Sequence, residues 1–286
     1  MTKIIHNNTK IGIKKFDKPI NAWYDCGMKK VVVITGASSG IGFSAAEYFA
    51  AKGYKVYGLS RRAADGKFES VRCDVTDCES VRAALSQIYI KEKRIDCFIN
   101  NAGIGISGAV EHIPEENTKK LFDVNVLAYF SCAKAAIPYL KQTKGVLINT
   151  SSVAAVIPIP YQTAYSASKA AINLFGMSLN LELKKFGVRV CTVMPGDTKT
   201  GFTAAREKTL NDAGYEDSLN RSVGKMEHDE KNGKSPLSVA KVMFKLAESR
   251  NPPALKTVGF AYKCVVFLNK ILPARLMMRI VKKMYG

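Results

Sequence analysis

The sequence predicts an α/β fold, a parallel sheet with helices on both faces. Three observations carry this. Short apolar runs rich in β-branched residues recur along the chain, as in VVVIT (31–35) and GVLINTSS (145–152). Stretches with helical periodicity separate them. The strands also read as continuously apolar rather than alternating, as expected when both faces of a sheet are covered. Sheets of this kind bind ligands at the carboxyl ends of their strands. The turns of this chain that are rich in Gly, Ser and Asn follow strand ends.

Met28 opens MKKVVVITG, whose VVVIT is a buried strand. FSAAEYFAAKG (43–53) reads as a helix with Gly53 as its C-cap. KVYGLS (55–60) and ESVRCDV (69–75) carry strands two and three, and SVRAALSQIYIKEK (80–93) is helical. IDCFINNAG (95–103) is strand four with its turn, and NTKKLFDVNVLAYFSCAKAAIPYL (117–140) is one long helix. Strand five is 145–152, a second long helix covers 163–187, and VRVCTVMPG (188–196) is strand six. SPLSVAKVMFKLAE (235–248) reads as a helix with Ser235 as N-cap and Pro236 at its first position.

Residues 1–27 lack periodicity and are rich in Lys and Asn. They read as a poorly structured extension, or as a segment preceding a true start at Met28, which intact mass would settle. The 286 residues and 47% apolar content suit a globular chain with a sizeable core. Seven cysteines form no CxxC pair, and no signal peptide is evident. They read as reduced thiols in a cytoplasmic setting. Three scattered histidines give no metal-ligand spacing, so no metal is expected.

The formal charge of +19 is concentrated at the ends: residues 1–28 contribute +3, and residues 250–286 contribute +8 with no acid. No nucleic-acid recognition motif accompanies it, so nucleic acid is not an expected partner. Solvated basic tails are one reading. Attraction to an anionic membrane surface or an anionic ligand is the other. No apolar run reaches the roughly 18–20 residues of a spanning helix.

TGASSGIG (35–42) lies between strand one and its helix. Gly36, Gly40 and Gly42 allow a tight turn and a close approach to a pyrophosphate, which Ser38, Ser39 and Ile41 would help cradle at the helix N-terminus. The spacing is GxxxGxG rather than GxGxxG, and a purely structural turn is the alternative. Strand two ends in Ser60, Arg61 and Arg62, with no acid before Asp65. An acid here would hold ribose hydroxyls, whereas an Arg suits a 2′-phosphate. NADP(H) is therefore expected, with Arg61 as main contact and Ser60 as helper; a solvated Arg pair is the alternative. Asp74 and Val75 after strand three are placed to meet an adenine, and Asn101, Ala102 and Gly103 follow strand four.

In AYSASKAAINLF (164–175), Tyr165 stands four residues before Lys169. Residues i and i+4 share a helix face. A free phenol has a pKa of about 10, and a nearby cation would lower it toward use in proton transfer. A solvated face that happens to carry a Lys is the bland alternative.

TGASSGIG, DVT (74–76), NNAG (100–103), the Asn125 of FDVNV, SS before Y-x-x-x-K, and PG (195–196) occur in this order. Together they resemble the short-chain dehydrogenase/reductase family from Lys29 to about Gly259, including its hydroxysteroid, retinol and acyl-lipid members. The resemblance implies a single Rossmann-type, doubly wound parallel sheet of about seven strands with helices on both faces, the seventh being KTVG (256–259). It implies Tyr165 as general acid/base and Lys169 as its partner. Lys169 would also bond the nicotinamide ribose. Ser152, rather than Ser151, would donate to the substrate carbonyl, where charge develops, and Asn125 would hold a water in a proton relay. Pro195 and Gly196 would line the nicotinamide, with Thr198 and Thr200 near its carboxamide or the pyrophosphate. A cis or turn-forming Pro195 without ligand role is the alternative.

Residues 201–234 are polar and loop-like, and in the family this stretch is the substrate lid. In the tail (260–286), Leu276, Met277, Ile280, Val281 and Met284 share one face of a basic amphipathic helix. It would pack over the core or pocket rim, touch a membrane peripherally, or wall an apolar substrate site. The expected function is NADP(H)-dependent interconversion of a ketone or aldehyde and an alcohol on a small hydrophobic molecule such as a steroid, retinoid or acyl lipid. Reduction of 3-oxoacyl thioesters is a second enzymatic reading. A non-catalytic nucleotide-binding sensor or membrane-surface module is a third, disfavoured by the complete Asn125, Ser152, Tyr165 and Lys169 set. The long helices 117–140 and 163–187 are the family's surfaces for homo-oligomers.

Overall fold

The computed structural model describes residues 28–209 and 214–285. The expected N-terminal extension, residues 1–27, lies outside them. β1 (Val31–Thr35), β2 (Lys55–Ser60), β3 (Glu69–Arg72), β4 (Cys97–Asn100), β6 (Val146–Thr150), β7 (Arg189–Met194) and β9 (Leu255–Thr257) form one sheet in the order β3-β2-β1-β4-β6-β7-β9. Every pairing in it is parallel, with Val32 beside Val56 on one flank and beside Cys97 on the other. The expected doubly wound sheet is present, with seven strands. The order reverses between β1 and β4, the position where such sheets open a crevice.

The apolar strands divide their side chains between two cores. Val31 and Val33 point with Phe98, Leu147 and Val190 into a layer closed by α2 (Cys78–Glu92), α4 (Ala128–Thr143) and α5 (Thr163–Leu183). Val32 and Ile34 point with Ile99, Ile148 and Val193 the other way, against α1 (Gly40–Ala51) and α7 (Pro236–Glu248). All five residues of β1 are buried, so the continuous run has a partner on each face. The Ser235 hydroxyl caps α7 by accepting from the Leu237 N–H. α1 stops at Ala51, with Gly53 just beyond at φ +87°.

Two expectations are corrected. The helix read as continuous over 117–140 is α3 (Glu115–Phe122), a π-turn over Asp123–Leu127 and then α4. Asn125 sits in that π-turn, a distortion often found at functional sites. The stretch read as loop over 201–234 contains α6 (Glu216–Lys231) and a short strand β8 (Glu207–Lys208) paired with β5 (Ile106–Ser107). α6 was hidden by its polar composition, although Leu219, Val223 and Met226 form a buried stripe at helical spacing. The amphipathic helix expected near the end of the tail is α9 (Ala274–Tyr285), and a further helix, α8 (Phe260–Ile271), precedes it across a turn at Leu272 and Pro273. Val266, Met277 and Val281 pack from them onto Val153 and Ile157 after β6. Among the described residues no helix is long and apolar enough to cross a membrane.

Candidate active site

The crevice begins at the turn after β1. Gly36 and Gly40 adopt φ +68° and +57°, where a side chain would be strained. A Cβ on Gly42 would meet the Gly36 carbonyl oxygen at 2.3 Å, so α1 starts tight against its own turn. Ser39 stands at the N-cap without a side-chain bond to the helix, and among the described residues no other side-chain hydroxyl caps the α1 N-terminus. Asn101 locks this turn to the next strand: its N–H donates to Thr35 Oγ1 at 2.8 Å and its amide to the Thr35 carbonyl at 3.0 Å.

One cavity of about 800 Å³ runs along the carboxyl ends of the strands. Ser38, Ser39, Gly40 and Ile41 line it with Ser60, Arg61, Asp74 and Val75. Asn101, Ala102 and Gly103, and then Pro195, Gly196, Thr198 and Thr200, also line it. Gly42 does not; it packs behind the wall. No described peptide bond is cis, so Pro195 is trans. Ser60 donates its hydroxyl to the Arg62 carbonyl at 2.6 Å, and the Arg61 and Arg62 side chains both line this end. Among the described residues Arg61 has no hydrogen-bonded or ion-paired partner. Burial works against the Asp74 charge, but the Thr76 N–H and hydroxyl and the Arg61 guanidinium outweigh it and hold the carboxyl below its usual range. An unsealed helix N-terminus, glycines at the turn and an unpaired Arg make a donor set that fits a phosphorylated dinucleotide.

Tyr165 lies in the first turn of α5, and Lys169 one turn on. Lys169 is 4% exposed; its Nζ donates to the Thr150 carbonyl at 3.1 Å and stands 5.8 Å from the Tyr165 ring centroid. Burial pulls the Lys169 pKa down to about 8. Burial also pushes the Tyr165 phenol up to about 12, opposed by a hydrogen bond with Ser152 and by the Arg206 charge and reinforced by Glu230. Desolvation dominates both groups, and the ammonium is turned to Thr150.

Ser151 and Ser152 part company. Ser151 donates to the Lys169 carbonyl at 2.9 Å and pins α5 to β6, while Ser152 caps the turn after β6 and reaches the phenol. Asn125 is fully buried. Its amide donates to the Ile104 carbonyl at 2.9 Å and to Ser168 Oγ at 3.2 Å, and its oxygen accepts from the Ile104 N–H at 2.9 Å. Ser168 in turn donates to the Tyr165 carbonyl at 2.7 Å. Both amide hydrogens are thus committed to protein, and the side chain braces the Tyr165 turn rather than offering a donor to water. A Cβ on Gly103 would lie 3.2 Å from Asn125 Oδ1 and 3.4 Å from Lys169 Nζ.

Beside Tyr165 are residues the sequence reading did not single out. The Phe202 ring lies tilted beside the phenol, with ring centroids 5.8 Å apart. Arg206, 5% exposed, is paired with Glu230 of α6, which also accepts from Thr203 at 2.6 Å. Tyr262 of α8 donates to Asp197 Oδ2 at 2.5 Å. Burial, with the Asp229 and Glu230 charges and against the Tyr262 hydrogen bond, holds the Asp197 carboxyl above its usual range. The signal for Glu230 was its spacing: it continues the Leu219, Val223, Met226 stripe. From the tail, Val265, Leu268, Met277, Ile280, Val281 and Met284 line the same cavity, so the apolar face expected for 276–284 is largely present at its wall.

A parallel sheet with this turn, this crevice and a Tyr165–Lys169 pair at its centre matches the family model described as short chain dehydrogenase over residues 30–211. The chain belongs to the short-chain dehydrogenase family. It is an oxidoreductase acting on CH–OH and C=O groups, as the family is. It is 40% identical over 236 residues to a 3-ketodihydrosphingosine reductase of Bacteroides thetaiotaomicron, covering 80% of this chain and 88% of that one. It is 33% identical over 187 residues to an NADPH-dependent 3-dehydrocapnine reductase of Ornithobacterium rhinotracheale, covering 60% and 66%. The structure of a short-chain dehydrogenase from Streptomyces avermitilis superposes with a TM-score of 0.77 at 25% identity, covering 90% of this chain and 97% of that one.

Proposed function

We propose that this short-chain dehydrogenase is NADP(H)-dependent and reduces the ketone of a long-chain lipid, of the 3-keto long-chain-base type, with Tyr165 as general acid. The observation that carries the reading is the continuity of the cavity. One end holds Arg61, the middle holds Ser152 and Tyr165, and the far end is walled by apolar side chains of α8 and α9. Such a wall suits an alkyl chain, and its cross-section is set by flexible residues such as Met277 and Met284. The similarity to a 3-ketodihydrosphingosine reductase supports the same class.

The α1 N-terminus with Ser38, Ser39 and Ile41 would hold the pyrophosphate, and Arg61 the 2′-phosphate. Asp74 and Val75 would meet the adenine, and Pro195, Gly196, Thr198 and Thr200 the nicotinamide end. Held there, NADPH would supply the hydride for the carbonyl carbon. The protein's part is the oxygen. Ser152 donates to it where negative charge develops, and Tyr165 transfers its phenolic proton to it, giving the alcohol. The tyrosinate left behind is stabilised by Ser152 and by the Arg206 charge. The Lys169 ammonium, buried with the phenol, supplies positive charge to the same pocket. Asn125 is a positioning residue: through Ser168 it fixes the turn that carries Tyr165. Residues 201–234 serve as the lid, with Phe202 over the phenol.

The test is NADPH oxidation with 3-ketodihydrosphingosine, a ketosteroid, retinal and a 3-oxoacyl thioester side by side, for the parent and Tyr165→Phe. Turnover of the long-chain base, lost by at least about a hundredfold in Tyr165→Phe with NADPH binding retained, is the expected result. Turnover of the thioester alone would replace the substrate reading. Full activity of Tyr165→Phe would overturn the mechanism.

A further inference from the structure

The α8–α9 hairpin has two faces. The inner face is fixed to the catalytic domain: Asn269 donates to the Val156 carbonyl at 2.9 Å, and Val266, Met277 and Val281 are buried. The outer face carries large apolar side chains with no apparent use in the fold. Phe260 is 78% exposed, Phe267 62% and Ile271 58%, at spacings that place them on one side of α8. On α9, Leu276 and Met278 are 43% and 54% exposed and do not line the cavity. Among them stand Lys263, Lys270, Arg275, Arg279, Lys282 and Lys283, all exposed, and no acid occurs anywhere in residues 250–286.

The cavity reaches this hairpin. Leu268, Ile280 and Met284 line the cavity and are at the same time 42%, 37% and 50% exposed. An exposed apolar face ringed by cations, on the element that also walls an apolar cavity, is complementary to one kind of surface, a bilayer with an anionic headgroup layer.

We propose that the α8–α9 hairpin docks on an anionic lipid bilayer and that the substrate cavity opens into that bilayer. Phe260, Phe267 and Ile271 enter the acyl boundary, and the surrounding Lys and Arg meet headgroup phosphates. A lipid ketone then passes between Leu268, Ile280 and Met284 to Tyr165 without crossing water. The second half of this inference rests on the lipid-ketone reading above; the docking half does not.

The experiment is flotation of the full chain with vesicles of phosphatidylcholine alone and of phosphatidylcholine mixed with phosphatidylglycerol, at low and high salt. Binding to the anionic vesicles only, weakening as salt rises, is expected. The double variants Phe267→Ser/Ile271→Ser and Lys270→Glu/Arg275→Glu should each lower that binding by at least about tenfold. None of the four residues lines the cavity wall, so both variants should reduce a dispersed short-chain ketone as the parent does. Both should lose turnover of a long-chain ketone presented in anionic vesicles. Equal affinity for neutral vesicles, no binding to either, or unchanged binding of both variants would overturn the docking. So would a shift of oligomer size in the variants at unchanged vesicle binding, which would place a second copy of the chain on this face. Docking without reduction of any long-chain ketone would remove the substrate reading and leave the docking standing.

Discussion

Tyr262 occupies the space in front of Gly196: a Cβ built on that glycine would lie 2.3 Å from the tyrosine ring. With the hydrogen bond from Tyr262 to Asp197, this contact ties the tail helix α8 to the turn after β7. The tail is therefore part of the cavity wall at the end where the nicotinamide is proposed to lie. Gly196→Ala should displace Tyr262 and cost about 1–3 kcal/mol of stability. In Tyr262→Ala the same glycine substitution should cost much less, and thermal unfolding of the four proteins in a double-mutant cycle measures the difference.

Lys169 is charged and buried at neutral pH, and its pKa falls from 10.5 to about 8. Between those two values the unfolded chain holds a proton that the folded chain has released, so stability rises with pH across this window. Below about 8 the full penalty is present. Lys169→Met should remove it and stabilise the protein by roughly 1–3 kcal/mol at neutral pH while abolishing turnover. Denaturant unfolding at neutral pH and again near the upper end of the window should show the gain shrinking.

The same titration should appear in catalysis. The phenol, at about 12, keeps its proton throughout the working range, whereas the Lys169 charge is lost above about 8. kcat/KM for ketone reduction reports groups of the free enzyme. It should be flat below about 8 and fall above it. A profile that falls only near the phenol's value would assign the charge requirement to another group.

Arg61 makes no ion pair among the described residues, and it stands at the end of β2 where a 2′-phosphate would lie. Arg61→Ala should raise the KM for NADPH by about tenfold or more and leave that for NADH nearly unchanged. Steady-state kinetics with both cofactors decides this, and an equal effect on the two would refute the assignment.

Phe130 on α4 and Leu174, Met177 and Leu181 on α5 are 49%, 67%, 42% and 75% exposed. These helices are the expected homo-oligomer surface, and such side chains favour burial against a second copy. Light scattering should give a dimer or larger, and Leu181→Lys should shift it toward the monomer.

Much of this protein was legible in its sequence alone. Continuous β-branched runs announce strands buried on both faces, because each residue of such a strand meets a helix layer. Gly36 and Gly40 mark a turn at positive φ where a side chain would be strained. The Tyr165–Lys169 spacing places both on one helix face. These are local properties, set by φ, ψ and periodicity. Tertiary structure decided what depends on distant neighbours. Helix α6 has too few apolar residues to declare itself, and its stripe gains meaning only when Ile159 and Tyr161 cover it. The commitment of the Asn125 amide follows from the path of Ile104 and Ser168. The phenol of Tyr165 is raised rather than lowered because burial outweighs Ser152 and Arg206, and Arg206 and Glu230 arrive from segments far along the chain. The tail's inner face became a cavity wall and its outer face stayed bare for one reason. An amphipathic pattern specifies which side is apolar, but only packing specifies what that side meets.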